Sequence, residues 1–115
     1  MARQSVTTQR ITRAGTNVAL SAPNVDGDIV DTGQVALVVT NGSGAPITVT
    51  VQTPGDVVGL AVADLAVSVP AGGTRHIGPL PTSVFAQAAD AVTGAGRALV
   101  DYSSITSVTR AVVSF

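Results

Sequence analysis

The side chains best suited to chemistry lie in one short stretch, where Asn24, Asp26 and Asp28 alternate and Asp31 follows. Oxygen-bearing side chains at every second residue are typical of the first half of a calcium-binding loop. Such a loop also needs a glycine at its sixth position, where this chain has Ile29, and a closing glutamate, which is absent. The pattern therefore favours a turn in which these side chains accept hydrogen bonds from the backbone, and the alternating residues stay only weak calcium candidates.

Catalytic chemistry has little support in the rest of the chain. His76 is the only histidine, and no Gly-x-Ser-x-Gly nucleophile elbow is present. The chain has no cysteine, which excludes disulfides and thiolate metal sites. Asp64 and Asp101 lie in apolar settings, and we expect each to face solvent or to pair with an arginine. The sequence therefore predicts a protein that is not an enzyme and that needs no cofactor.

The basic residues are unevenly distributed along the chain. Three arginines and no acidic residue occur in residues 1–25, whereas residues 26–115 hold three arginines and seven aspartates. The net charge of −1 argues against a general nucleic-acid binder, which would carry a basic face. Arg3, Arg10 and Arg13, with Ile11 as an apolar anchor, are the candidate interface residues. Two interpretations stay open: a solvated tail, or a docking arm that orders on an acidic partner.

Neither membrane insertion nor export is expected from the apolar pattern. The longest apolar stretch runs from Val57 to Val69, is interrupted by Asp64 and is too short to span a bilayer. The first residues lack the apolar run of a signal peptide. We therefore expect a soluble protein that is made in the cytoplasm.

Composition predicts an all-β domain. The apolar fraction is 45% but only 3% of the residues are aromatic, and valine and threonine, which favour strands, dominate. Short apolar runs are separated at regular intervals by Gly and Pro turns, as in sandwiches and barrels. We predict a single β-sandwich or small barrel of about seven to nine short antiparallel strands at residues 17–115, preceded by an extended N-terminal arm at residues 1–16. Residues 34–40 and 47–52 are predicted to form a hairpin around the Asn41–Gly44 turn.

Several stretches resemble small proteins from the structural gene block of tailed phages that infect high-GC actinobacteria. They are MARQSVTTQRITRAG, LVVTNGSGAPITVTVQTPG, GLAVADLAVSVPAGGTRHIGPLP followed by Phe85, and RALVDYSSITSVTRAVV. The resemblance implies a bacteriophage virion structural protein similar to head-decoration (cement) proteins, which bind the outside of the viral capsid and clamp neighbouring capsomers. It further implies a β-rich oligomer, often a trimer, with an N-terminal arm that contacts the major capsid protein or other virion proteins.

Two alternatives stay open. Small β-sandwiches also serve as head–tail connector and tail structural proteins, so the fold does not determine the position in a virion. A calcium- or carbohydrate-binding β-sandwich module belongs to another class. Carbohydrate sites usually present exposed aromatic platforms, and this chain offers only Tyr102, Phe85 and Phe115.

Overall fold

The chain is almost entirely β-structure in the computed structural model, which describes residues 3–53, 56–57, 60–61, 63–87 and 95–114. The described residues contain no helix with the length and apolarity needed to span a bilayer. The elements are β1 (Gln4–Ser5), β2 (Thr8–Arg10), β3 (Asp28–Val30), β4 (Val35–Asn41), β5 (Ile47–Val51), β6 (Asp56–Val57), β7 (Leu60–Ala61), β8 (Leu65–Val69), β9 (Thr74–Ile77), the helical turn α1 (Thr82–Phe85), β10 (Ala98–Tyr102) and β11 (Val108–Ser114).

Nine of these strands form two sheets, in agreement with the predicted number and with a small β-sandwich. Sheet A has the order β1-β3-β10-β5-β8, and sheet B has the order β2-β11-β4-β9. The two remaining strands, β6 and β7, follow β5 and precede β8 in the sequence, and they pair with each other. Seven of the eight connections between successive strands of the two sheets pass from one sheet to the other. Such crossing is typical of double-sheet jelly rolls.

The apolar core lies between the sheets because successive strand residues point to opposite faces. In β5, Ile47, Val49 and Val51 are buried while Thr48 is exposed, which confirms the alternation predicted for this segment. Every other residue of β4, from Val35 to Val39, joins the same core from sheet B. The core is therefore built from aliphatic side chains of both sheets, as the composition predicts.

The predicted hairpin between β4 and β5 is wrong. These strands lie in different sheets, and the antiparallel neighbours of β5 are β8 and β10. The cause is Asn41, which is fully buried at the end of β4. Its Nδ2 donates to the carbonyls of Ala45 at 2.8 Å and Val69 at 3.2 Å, and its Oδ1 accepts the backbone N–H of Ser43 at 3.0 Å. These bonds shape residues 42–46 into a crossing between the sheets.

The prediction of purely antiparallel strands is also wrong, because both sheets are mixed. Strand β1 pairs with β3 in parallel, and β2 pairs with β11 in parallel. Within the predicted extended arm at residues 1–16, β1 and β2 pair with the two sheets as edge strands. Release of this arm onto a partner stays a prediction.

Candidate interaction surface

Residues 3–11, which we call the N-terminal segment, follow one side of the sandwich and contact both sheets. After β1, the backbone N–H of Val6 donates to the carbonyl of Ile29 in sheet A at 2.9 Å. After β2, the N–H of Ile11 donates to the carbonyl of Ser114 in sheet B at 2.7 Å. Val6 is the one buried side chain of the segment, at 8% exposure. The segment is therefore held mainly by backbone pairing and polar contacts.

Arg97 clamps the middle of the N-terminal segment to the body. Its Nε lies 2.9 Å from Asp31 Oδ1, and its Nη2 donates to the carbonyl of Val6 at 3.1 Å. Its Nη1 also donates to Ser5 Oγ, while the second oxygen of Asp31 accepts a hydrogen bond from the Thr8 hydroxyl. The planar guanidinium suits this arrangement because its donors point in fixed directions.

The side chain of Arg3 is paired with residues of its own domain. Its Nη2 lies 2.8 Å from Asp101 Oδ1, and its Nη1 donates to the carbonyl of Val100 at 3.1 Å. The pairing predicted for Asp101 with an arginine is confirmed. Gly27 makes room for this contact: its φ is +98°, and a Cβ there would lie 2.6 Å from the carbonyl oxygen of Val100 and would overlap the Arg3 guanidinium.

Arg10 and Arg13 differ from Arg3 because both are exposed. Within the described ranges, neither side chain makes an ion pair or a hydrogen bond to another residue. Ile11 lies between them and is half-buried. Residues 10–16, which we call the basic loop, are ordered by Thr16, whose Oγ1 donates to the carbonyl of Arg10 at 2.9 Å and accepts the N–H of Thr12 at 3.1 Å. The structure thus presents two of the three predicted arginines on one ordered loop.

A buried ion pair joins the two sheets beneath this surface. Arg110 of β11 and Asp28 of β3 are 2% and 0% exposed. Arg110 Nε and Nη2 donate to the two carboxylate oxygens of Asp28 at 2.7 and 3.2 Å, and Tyr102 Oη donates to Asp28 Oδ2 at 2.7 Å. Arg110 Nη1 also donates to Ser21 Oγ at 2.5 Å. A paired, fully hydrogen-bonded charge is the form in which an arginine is tolerated in a core.

Sequence reasoning missed this cluster, although one signal pointed to it. In β11, Arg110 alternates in phase with Val108 and Val112, which face the core. An arginine that is buried in an otherwise apolar strand needs a buried carboxylate partner. The partner is 82 positions earlier in the chain, so its identity depends on the folded topology.

The weak calcium candidates form a turn instead of a ligand set. Asn24 Oδ1 accepts the backbone N–H of Asp26 at 2.8 Å, and the Asn24 carbonyl accepts the N–H of Gly27 at 3.0 Å. The predicted turn with side-chain acceptance is therefore confirmed. The Asp28 carboxylate points into the core toward Arg110 rather than toward the other two side chains. In the part of the chain that the structure describes, no three acidic, histidine or cysteine side chains converge as metal ligands.

A polar cleft of about 310 Å³ separates the N-terminal segment from residues 19–21. Gln9 closes one end, because its amide donates to and accepts from the backbone of Ala19, both at 2.9 Å. Arg110 and Ala111 line its floor. Four hydrogen bonds already join the Arg110 guanidinium to Asp28 and Ser21, and its charge is paired with Asp28, so it is not free to bind a ligand in the cleft.

Comparison with known proteins identifies no relative of this chain. No protein-family model, curated protein sequence or solved structure matches it. Its function must therefore be inferred from the surface described above.

The phenol of Tyr102 is expected to make stability depend on alkaline pH. Burial, together with the negative charge and hydrogen bond of Asp28, raises the pKa of Tyr102 far above its usual range. The folded state therefore keeps the proton while the unfolded chain loses it near pH 10. The contribution of Tyr102 to the free energy of unfolding should be fully present below pH 10. Above pH 10 the free energy of unfolding should fall by about 1.4 kcal/mol per pH unit.

Absorbance at 295 nm will follow this directly, because Tyr102 is the only tyrosine. We expect phenolate to form together with unfolding, and the Tyr102→Phe variant to lose this part of the pH dependence. Phenolate formation in the folded protein near pH 10 would contradict the prediction.

Proposed function

We propose that this chain is a non-enzymatic bacteriophage virion structural protein, a capsid decoration (cement) protein that binds the outside of the head and stabilises contacts between capsomers. The observation that carries the proposal is the basic loop, where Arg10 and Arg13 are exposed on a body with an excess of aspartate. The resemblance of the sequence stretches to actinobacterial phage virion proteins supports the same conclusion. The partner would be the major capsid protein, contacted at an acidic surface.

The anchoring of the N-terminal segment supports this mode of binding. Arg97 and Arg3 fix the residues that precede the basic loop, and Thr16 orders the loop itself. A loop that is ordered before binding loses less conformational entropy when it docks. Arginine also suits bidentate contacts to carboxylates at an interface. Many copies on one shell would add avidity, so each contact needs only modest affinity.

Charge reversal in the basic loop tests the proposal. With heads purified from the same phage after deletion of this gene, we expect the Arg13→Glu variant to cosediment roughly tenfold more weakly than the wild type at low salt. The double Arg10→Glu, Arg13→Glu variant should bind more weakly still. Added salt should weaken the wild type more than either variant, because exposed charges are screened.

The matched control is Arg75→Glu, which makes the same charge change at an exposed arginine of β9. It should bind within about twofold of the wild type, because an isolated charge outside the contact changes affinity little. Equal losses for Arg13→Glu and Arg75→Glu would show that only net charge matters. A wild-type protein that ignores the heads would overturn the decoration role.

Position on the particle separates decoration from the alternative structural roles. Antibody labelling of intact virions in the electron microscope should place the protein over the head surface. Label confined to the neck or tail would instead assign the protein to the connector or the tail.

A further inference from the structure

Strand β8 forms the edge of sheet A opposite β1, and among the described strands it pairs with β5 alone. All five of its residues pair with β5 on the inner side. The strand, Leu65 to Val69, contains no charged residue and no proline. Edge strands that stay uncovered are normally blunted by one of these features.

The other edges are protected or short. Strand β9, the edge of sheet B on the same side, carries exposed Arg75 and His76. Strands β1 and β2 are two and three residues long. Strand β8 is thus the longest uncharged edge in the described sheets, which indicates that another strand covers it.

Leu65 shows what that strand must bury. Its side chain alternates in phase with Val67, which packs against the core, and with Val69, which is fully buried, yet Leu65 is 37% exposed. By this alternation it lies on the core-facing side of the sheet. A strand added to β8 would cover it.

We propose that two copies of this chain pair through β8, antiparallel about a two-fold axis, with Val67 opposite the partner subunit's Val67. In this register Leu65 lies beside the partner subunit's Val69, and Ala66 lies beside the partner subunit's Ser68. Apolar cross-strand neighbours stabilise an antiparallel pair. The two five-stranded sheets become one continuous sheet.

A second copy fits this edge because the strand is compatible with itself. Self-pairing of an uncharged strand brings no like charges together over residues 65–69. Asp64 falls just outside the pair, opposite the partner subunit's Pro70, so the two aspartates do not meet. The register is therefore free of the repulsion that self-association of a charged edge would create. This inference does not depend on capsid binding and is tested on the purified protein alone.

Lysines on the edge test the pairing. In the double variant Ala66→Lys, Ser68→Lys each lysine faces a lysine of the partner subunit, and we expect the dimer dissociation constant to rise by about tenfold or more. Light scattering after size exclusion should give the mass of two 11.4 kDa chains for the wild type and of one for the variant. The control is Thr48→Lys, Thr50→Lys, on the neighbouring positions of β5. It adds the same charge away from the edge and should stay dimeric.

Opposite charges should restore the pair. Ala66→Glu, Ser68→Glu is also expected to be monomeric by itself, and an equimolar mixture with the lysine variant should form a heterodimer. This rescue excludes misfolding as the cause of dissociation, because a misfolded variant would not recover. Failure of the mixture to associate, while both variants are folded, would overturn the proposed register.

A single cysteine tests the two-fold axis. Because the chain has no native cysteine, Val67→Cys should give a disulfide-linked dimer under mild oxidation, as Cα atoms about 4.5–5.5 Å apart across an antiparallel pair permit the bond. Leu65→Cys, which faces the partner subunit's Val69, should cross-link far less. A monomeric wild type at all concentrations overturns the proposal. So does a mass of three chains, because an isologous contact closes at two copies.

Discussion

Replacement of Arg110 by methionine is expected to destabilise the fold by about 3–5 kcal/mol, because it leaves the carboxylate of Asp28 buried without its cation. Asp28 has no exposed surface, and among the described residues its remaining donors are the Tyr102 hydroxyl at 2.7 Å and the backbone N–H of Asn24 at 3.3 Å, both uncharged. The loss should be measured as the free energy of unfolding in urea. The matched control is Arg75→Met, an exposed arginine without an acidic partner among the described residues, which should change stability by less than about 1 kcal/mol.

A double variant separates the orphaned charge from the lost packing. Asp28→Asn combined with Arg110→Met removes both buried charges. The amide oxygen of the new asparagine can still accept the hydrogen bond of Tyr102. The double variant should therefore be more stable than Arg110→Met alone by about 1–3 kcal/mol, although it carries one more substitution. If the double variant is less stable than the single one, the buried charge is not the main cost.

Alanine at Gly27 is expected to cost about 2–4 kcal/mol, from backbone strain together with a steric clash. The backbone φ of +98° is unfavourable for a residue with a Cβ, and the added carbon would lie 2.6 Å from the carbonyl oxygen of Val100. It would also displace Arg3 from Asp101. Thermal or urea unfolding measures the total, and amide exchange at Gln4, whose N–H bonds to the Gly27 carbonyl, reports release of β1.

Gly15 provides the control for strain alone. Its φ of +92° is similar, but a Cβ there meets no atom within 4 Å. Gly15→Ala should therefore cost only about 1–2 kcal/mol, and the difference between the two variants isolates the clash. Equal losses at the two glycines would mean that the contact among Gly27, Val100 and Arg3 contributes nothing.

The inward and outward faces of a strand can be predicted from the sequence better than the strands with which it pairs. The alternation from Ile47 to Val51 predicts the inward and outward faces of β5 correctly, because a two-residue period is a local property. The hairpin predicted around the Asn41–Gly44 turn is wrong because a local turn signal does not reveal whether the next strand pairs or crosses. That choice depends on the bond from Asn41 to Val69, which lies 28 positions away.

The candidate interaction surface was likewise predictable only in its local features. The charge asymmetry of the chain identified Arg10 and Arg13, which are exposed on the basic loop. The same asymmetry could not distinguish Arg3, because its partner, Asp101, comes from a distant strand. Burial and pairing of charges follow from the tertiary structure, so they are the features that a single sequence conceals most.

The crossing connections have a consequence for how the chain folds. Strand β10 lies between β3 and β5, and β11 lies between β2 and β4, so residues 98–114 supply an interior strand of each sheet. Until that stretch is in place, the long apolar strand β4 lacks its neighbour β11. Asp28 of β3 also lacks its cation, Arg110. Pairs such as Ser114 with Val35 join distant parts of the chain, and such high contact order makes folding slow. We therefore expect both sheets to be completed late in folding, with β4 and β5 exposed to aggregation before residues 98–114 pair with them.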